Sequence, residues 1–353
     1  MTPTTDSGTG SIRYFDLHRN PARRAYLASG RLGIHADPVL GWVVDDPALV
    51  TELLADSRLR VIDYGNRIRR VRSHEAKLEN SLFVARFMPL FLEGETHRQR
   101  RRDLAKLLGE RRSELVKALP FFVANRFGPL SQTGTVDVMN EILIPLLADI
   151  GTVILGVDPS RLRVQAISGI FDRLKGLRRI ERFDADIGDV RAAIRAELGV
   201  NDEEEGLILT LLVLSHDTLL GTLGGSLRQV FEDAAGKPIN QTTIPELPPE
   251  TGVPFVEREC REEVTIRSHR LGKGAFVRLI MMGFAYSACP GYRGRIFGAG
   301  THTCLGKRLA LDVWGSVAGK LAELDQTIDV VEYAPRTSDN VFACPSVLKV
   351  RVS

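Results

Sequence analysis

The sequence predicts a mainly α-helical chain with a small β region, folded as one body. Three observations predict it. Apolar residues recur at helical spacing through most of the chain up to Asp233. After Gly236 the texture changes to short apolar runs broken by glycine and proline. Neither an internal repeat nor a linker long enough to divide the 353 residues is present. The single domain is placed at residues 12–353. Met1–Ser11, rich in Thr, Ser and Gly, reads as a disordered tail.

Gly41–Val44 reads as a short strand. Asp46 then caps a helix with Pro47 at its first position, running to about Ala55. Helical periodicity continues through Glu95–Leu108, Ser113–Arg126, Val136–Val157, Arg161–Leu177 and Ile187–Leu198. A long helix from Glu203 to about Asp233 carries the densest apolar patch, Leu207–Val213. Val264–Arg267 and Ala275–Met281, joined across Gly272-Lys273-Gly274, read as a hairpin. An apolar helix at Leu305–Leu324 follows, then a β-rich end at Thr327–Val331 and Val347–Val352.

Bulk composition excludes several functions. A formal net charge of +3 on 47 basic and 44 acidic residues gives no reason to expect nucleic acid. Cys260, Cys289, Cys304 and Cys344 are too few and too scattered for a disulfide framework or a paired zinc motif. No uninterrupted apolar run reaches the ~18 residues of a membrane span, and no signal pattern opens the chain. A soluble, reducing, cytoplasmic setting is expected.

The chemistry concentrates in Phe297-Gly298-Ala299-Gly300-Thr301-His302-Thr303-Cys304-Leu305-Gly306. One thiol stands in a glycine-bent loop directly before an apolar helix. Gly298 and Gly300 can take positive φ and let the backbone approach a flat ring. The amides of Leu305 and Gly306 can donate to the sulfur and lower its pKa. Phe297 can shield it, and His302 can reach a carboxylate. A thiolate so held can ligate a haem iron and favour O–O cleavage. Dinucleotide binding fits worse, because the third glycine and the downstream acid are missing.

This window resembles the cysteine-ligand loop of the cytochrome P450 family. The resemblance implies a P450-like fold, haem b with Cys304 as axial thiolate, and a small-molecule substrate. Leu214-Ser215-His216-Asp217-Thr218-Leu219 resembles the family's distal helix, with Thr218 as the oxygen-facing hydroxyl and Asp217 as the proton-relaying acid. A threonine that bonds back one turn can open such a helix. Leu214-Ser215 replaces the family's small Ala-Gly pair, which narrows the oxygen groove. His216 reads as a packing or surface residue.

Haem propionates need cationic partners when buried. His97 and Arg101, four apart on one helix face, resemble the family's first pair, Arg258 its third contact and His302 its fourth. Arg98, Arg102, Lys106, Arg111, Arg112, Lys307 and Arg308 would form a basic thiolate-side surface able to steer an acidic ferredoxin-type donor. By the same resemblance the substrate walls come from Ser81–Leu92, Leu214, Thr218, Thr251–Phe255 and Asn340–Cys344. The basic run Arg173–Arg182 lies where the family has its lid and reads first as a solvated helix face, with contact to an acidic or carrier-tethered substrate as the second reading. Cys260, Cys289 and Cys344 read as packing residues.

The resemblance also has gaps. Where the family carries Glu-x-x-Arg, this chain has Thr242 and Pro245. Gly283–Ile296 is too short for the usual meander, and Gly199–Asp202 leaves no room for an intervening helix. Removing both partners of a buried ion pair can be near neutral, whereas removing one costs roughly 3–5 kcal/mol. A trimmed P450-like protein of specialised metabolism is expected. Three readings stay open: a monooxygenase fed by a redox partner; a haem-thiolate peroxygenase, dehydratase or isomerase needing no external electrons; and an auxiliary subunit of an enzyme such as a glycosyltransferase.

Overall fold

The computed structural model describes residues 13–29, 32–71, 78–159, 162, 177–287, 289–337 and 341–353. The first half carries Arg23–Ala28 (α1), Ile34–Asp37 (β1), Gly41–Val44 (β2), Pro47–Ala55 (α2), Leu59–Val61 (β3), Tyr64–Val71 (α3), Glu79–Phe87 (α4), Gly94–Arg126 (α5), Gly134–Asp137 (β4) and Ile144–Leu155 (α6). The second carries Leu177–Leu198 (α7), Asp202–Ala234 (α8), Phe255–Cys260 (β5), Val264–Ile266 (β6), His269–Leu271 (β7), Phe276–Ile280 (β8), Pro290–Arg293 (α9), Lys307–Leu321 (α10), Ile328–Pro335 (β9) and Pro345–Val352 (β10).

Local chemistry explains the helix starts. Asp46 accepts from the amides of Ala48 (2.9 Å) and Leu49 (3.3 Å), and Pro47 needs no amide partner at the first position. Asn201 caps α8 by accepting from Glu203 and Glu204, while Glu204 reaches back to the Asn201 amide, a reciprocal pair that sets where the longest core helix begins. Glu95–Leu108 and Ser113–Arg126 fuse into α5, because Gly109 and Pro120 sit on exposed turns that the helix tolerates.

Two large apolar clusters hold these elements. One joins α3–α8, α10 and the sheet β4-β10-β9 around Phe127, Phe231 and Trp314. The other fills the space between α2 and the sheet β1-β2-β8-β5-β3, in which only β2 and β8 run parallel. The expected hairpin is redrawn. β6 pairs with β7 across a tight turn at Arg267, whose φ is +53°, and Gly274 (φ +81°) sends β8 back to pair with β5. Position 134–137, expected to lead into a helix, adds a third strand to the C-terminal sheet.

Two helices, Val138–Leu155 and Asp202–Ala234, are long and apolar enough to cross a membrane by length and composition, which the sequence reading did not foresee. The most apolar 18-residue stretch of each is 56% and 72% buried within the fold, as in core helices. The N-terminal tail and nearly all of the expected Arg161–Leu177 helix lie outside the described residues.

Candidate functional site

Cys304 is held by its own loop. Its amide donates to the Phe297 carbonyl at 2.7 Å, and Thr303 donates to Gly300, closing a bulge that Gly298 (φ +80°) and Gly300 (φ +68°) make possible. A Cβ on Gly300 would stand 3.1 Å from the Leu54 carbonyl, so the loop lies directly on the end of α2. Cys304 is solvent-accessible. Burial pushes the thiol pKa up, against the Gly306 amide, the Arg101 charge, and the amide and charge of Lys307. The amides serving the sulfur are therefore Gly306 and Lys307. Leu305 and Gly306 were expected; α10 instead begins at Lys307, and the turn before it rotates the register by one residue.

Beside the sulfur, four groups converge. The His97 and His302 rings lie 4.2 Å apart. His97 is buried, and its Nε2 has no hydrogen-bond partner among the described residues. Arg258, also buried, donates only to the Glu257 carbonyl among the described residues. Burial lowers its pKa to about 10, opposed only by Glu93, which is itself paired with Arg261. Burial, then Arg258, His97 and Arg101, push His302 down to about 3. Burial and Arg101 likewise lower His97.

Buried cationic and imidazole groups served by one nearby carboxylate, Glu93, which Arg261 already holds, are costly unless a further anion completes them. Two carboxylates on the edge of a flat ring, with a metal above Cys304, meet this requirement. The residues present fit a haem.

No protein-family model and no curated protein matches the chain in sequence. Solved structures do match in shape. P450BioI in complex with an acyl carrier protein ligated to hexadec-9Z-enoic acid superposes with a TM-score of 0.72 at 17% identity, covering 96% of this chain and 99% of that one. CalO2 gives 0.71 at 18%, covering 96% and 97%. P450 RauA, complexed with a biosynthetic intermediate of aurachin RE, gives 0.68 at 18%, covering 96% and 99%. The chain has the cytochrome P450 fold.

Within this fold, α8 carries the segment expected to face the oxygen. The Thr218 hydroxyl donates to the Leu214 carbonyl at 2.6 Å and approaches that of Ser215 at 3.1 Å. The helix nevertheless runs unbroken across Asp202–Ala234, so the back-bond alone does not open it. Gly252 lies against this turn, where a Cβ would come within 2.2 Å of the Thr218 carbonyl. Thr222 joins the two by donating to Thr218 and accepting from the Gly252 amide.

Asp217 departs from its expected part. It is 1% exposed and held by both Arg336 nitrogens (3.2 and 2.9 Å) and by His216 Nδ1 (3.1 Å). Burial works against its charge, but His216 and Arg336 outweigh it and bring the carboxyl to about 2. It is a clamped carboxylate tying α8 to the end of β9. His216 shares that clamp. Sequence reasoning missed Arg336, which lies 119 residues away with no motif to mark it.

Ion pairs within the chain also revise the basic surface. Arg98 and Arg102 share Glu95 (2.6 and 2.9 Å), Arg112 grips Asp312 with two bonds, and Lys106 stands 4.0 Å from Glu110. Arg111, Lys307 and Arg308 remain. Of the expected lid run Arg173–Arg182, the side chains up to Arg179 lie outside the described residues, as does Asn340 in the C-terminal turn. On the expected substrate wall, the Phe83 and Phe87 rings of α4 lie 4.9 Å apart and tilted by 42°, and Phe87 fills the space left by Gly206 on α8.

The neutral histidines set an acid limit. His18, which burial lowers to about 3, and His302 bind protons more tightly when unfolded, near 6.5. Their contribution to stability is complete above pH 6.5 and is lost as pH falls towards 3. Without added cofactor, the urea midpoint is expected to fall between pH 7.5 and pH 5. An unchanged midpoint would show that neither ring is held neutral.

Proposed function

We propose that this P450-fold protein binds haem b through Cys304 and oxidises a small molecule. One observation carries the reading: the His97 and His302 rings meet 4.2 Å apart beside the Cys304 loop, with Arg101 and Arg258 close enough to press His302 towards its neutral form. When bound, the group supplies thiolate-supported activation of dioxygen or peroxide. The chain supplies the rest. His97, Arg101, Arg258 and His302 hold the ring's two carboxylates, each charge-assisted bond contributing roughly 1.5–3 kcal/mol. The Gly306 and Lys307 amides stabilise negative charge on sulfur. The Thr218 hydroxyl, fixed to Leu214, is the proton-bearing group on the distal side. Leu214, one turn before it, and the Phe83–Phe87 pair give the substrate apolar walls and keep water away. Solved structures of the same fold, bound to a fatty acyl carrier protein or an aurachin intermediate, support a role in specialised metabolism and a carbon-rich substrate.

The test is direct. Purified protein supplied with haem is expected to become coloured, and its reduced carbon monoxide adduct to show the red-shifted Soret band of thiolate ligation. Protein that takes up no haem would refute the reading. The internal pairing of Arg98, Arg102, Lys106 and Arg112 weakens an electron-donor surface and favours keeping the peroxide-driven or electron-free reading beside the first. Turnover with a ferredoxin pair, against turnover with hydrogen peroxide, separates them.

A further inference from the structure

We infer that Trp314 is the positioning residue for the Cys304 sulfur, a single indole hydrogen bond standing in for an ion pair. This rests on the haem reading above and goes beyond it. Cys304 lies on the seam between the two apolar clusters. Ile296, Phe297 and Ala299 upstream belong with α2 and the five-stranded sheet. Leu305, Leu309, Val313 and Trp314 downstream belong with the helices. The sulfur's position is set by how the two bodies meet, so whatever anchors α10 on its side sets the ligand.

Gly300 against Leu54 and Ala55 anchors the upstream half. Downstream, Trp314 is wholly buried and heads the large side chains in that state. Its Nε1 donates to the Pro245 carbonyl at 2.9 Å. Pro245 sits in the segment where an arginine of a buried ion pair was expected. That segment is itself pinned beside the end of α10: Asn240 donates to Leu324 (2.8 Å) and Ile239 to Gln326 (3.0 Å). α10 also carries the two-bond pair between Arg112 and Asp312, whose side chains are partly exposed and so partly screened. The indole bond starts from a wholly buried side chain and reaches a part-buried carbonyl. A carbonyl left without its donor in that environment is expensive, so the bond fixes helix placement rather than adding a marginal contact.

The test uses the haem-loaded protein in four forms: wild type, Trp314→Phe, an isosteric 3-benzothienylalanine at position 314 that removes only the N–H, and Val317→Ala. The last removes buried area one turn along α10 but no polar bond. Two quantities are read. One is the rate at which the red-shifted reduced carbon monoxide band converts to the blue-shifted form of a lost thiolate. The other is the rate of Cys304 alkylation by iodoacetamide in haem-free protein, followed on its own peptide. Both position-314 variants are expected to convert about tenfold faster than wild type and to change the alkylation rate. Val317→Ala is expected to melt lower yet stay within twofold on both rates. Equal behaviour of all four, or an equal change in Val317→Ala, overturns the inference while leaving the haem reading intact. A wild type that takes up no haem removes both.

Discussion

Replacing Cys304 by serine is expected to abolish the red-shifted carbon monoxide band and reduce turnover to background, with little change in folding. The fold tolerates the change because the loop is closed by main-chain bonds, Cys304 to Phe297 and Thr303 to Gly300, that do not involve the sulfur. The chemistry does not, because a neutral hydroxyl supplies neither the charge nor the soft donor of a thiolate. The free thiol carries a further consequence. Burial raises its pKa despite the Gly306 and Lys307 amides, so joining a metal requires it to give up its proton. Haem uptake is therefore expected to release a proton and to weaken as pH falls. Spectra of the two proteins, with a titration of uptake against pH, check both points. A serine variant that keeps the band would mean that another residue is the ligand.

What was legible in the sequence was whatever short spacing controls. The i, i+4 placement of His97 and Arg101 brings both to one helix face, and α5 delivers them beside His302. Gly298 and Gly300 marked positive-φ positions, and both have it. Asp46-Pro47 marked a helix start through capping chemistry that needs no neighbours. What was not legible depends on distant partners. β8 pairs with β5 and β2 rather than with β6, because strand pairing is decided by which edges meet, and the two-residue turn at Arg267 had already used β6. The short helices α3 and α4 have too few turns to show a period. Arg336 and Trp314 carry no motif. Their roles come from partners at Asp217 and Pro245 that only the folded chain brings near.

The clamp at Asp217 supports the second large effect. Asp217→Asn keeps the shape but removes the charge that Arg336 faces at 2.9 Å, with both side chains almost buried. Breaking one side of such a pair costs roughly 3–5 kcal/mol. That loss is expected in urea unfolding at neutral pH, where Asp217 is fully ionised; its contribution is lost only as pH falls from about 4 through about 2. Removing both charges in Asp217→Asn with Arg336→Met is expected to recover much of the stability, because no buried charge is then left facing a neutral group. Turnover is expected to follow stability in the double variant, since the clamp places α8. The Cys344 thiol on the Asp217 carbonyl and the Ala343 carbonyl against Gly221 show how closely the C-terminal turn sits on that helix. Through it the clamp sets where Thr218 and Leu214 stand. If the double variant regained stability but not turnover, and a solvent isotope effect appeared, Asp217 would be moving protons after all. If Asp217→Asn unfolded within 1 kcal/mol of wild type, the buried pair would not be what holds α8 to β9.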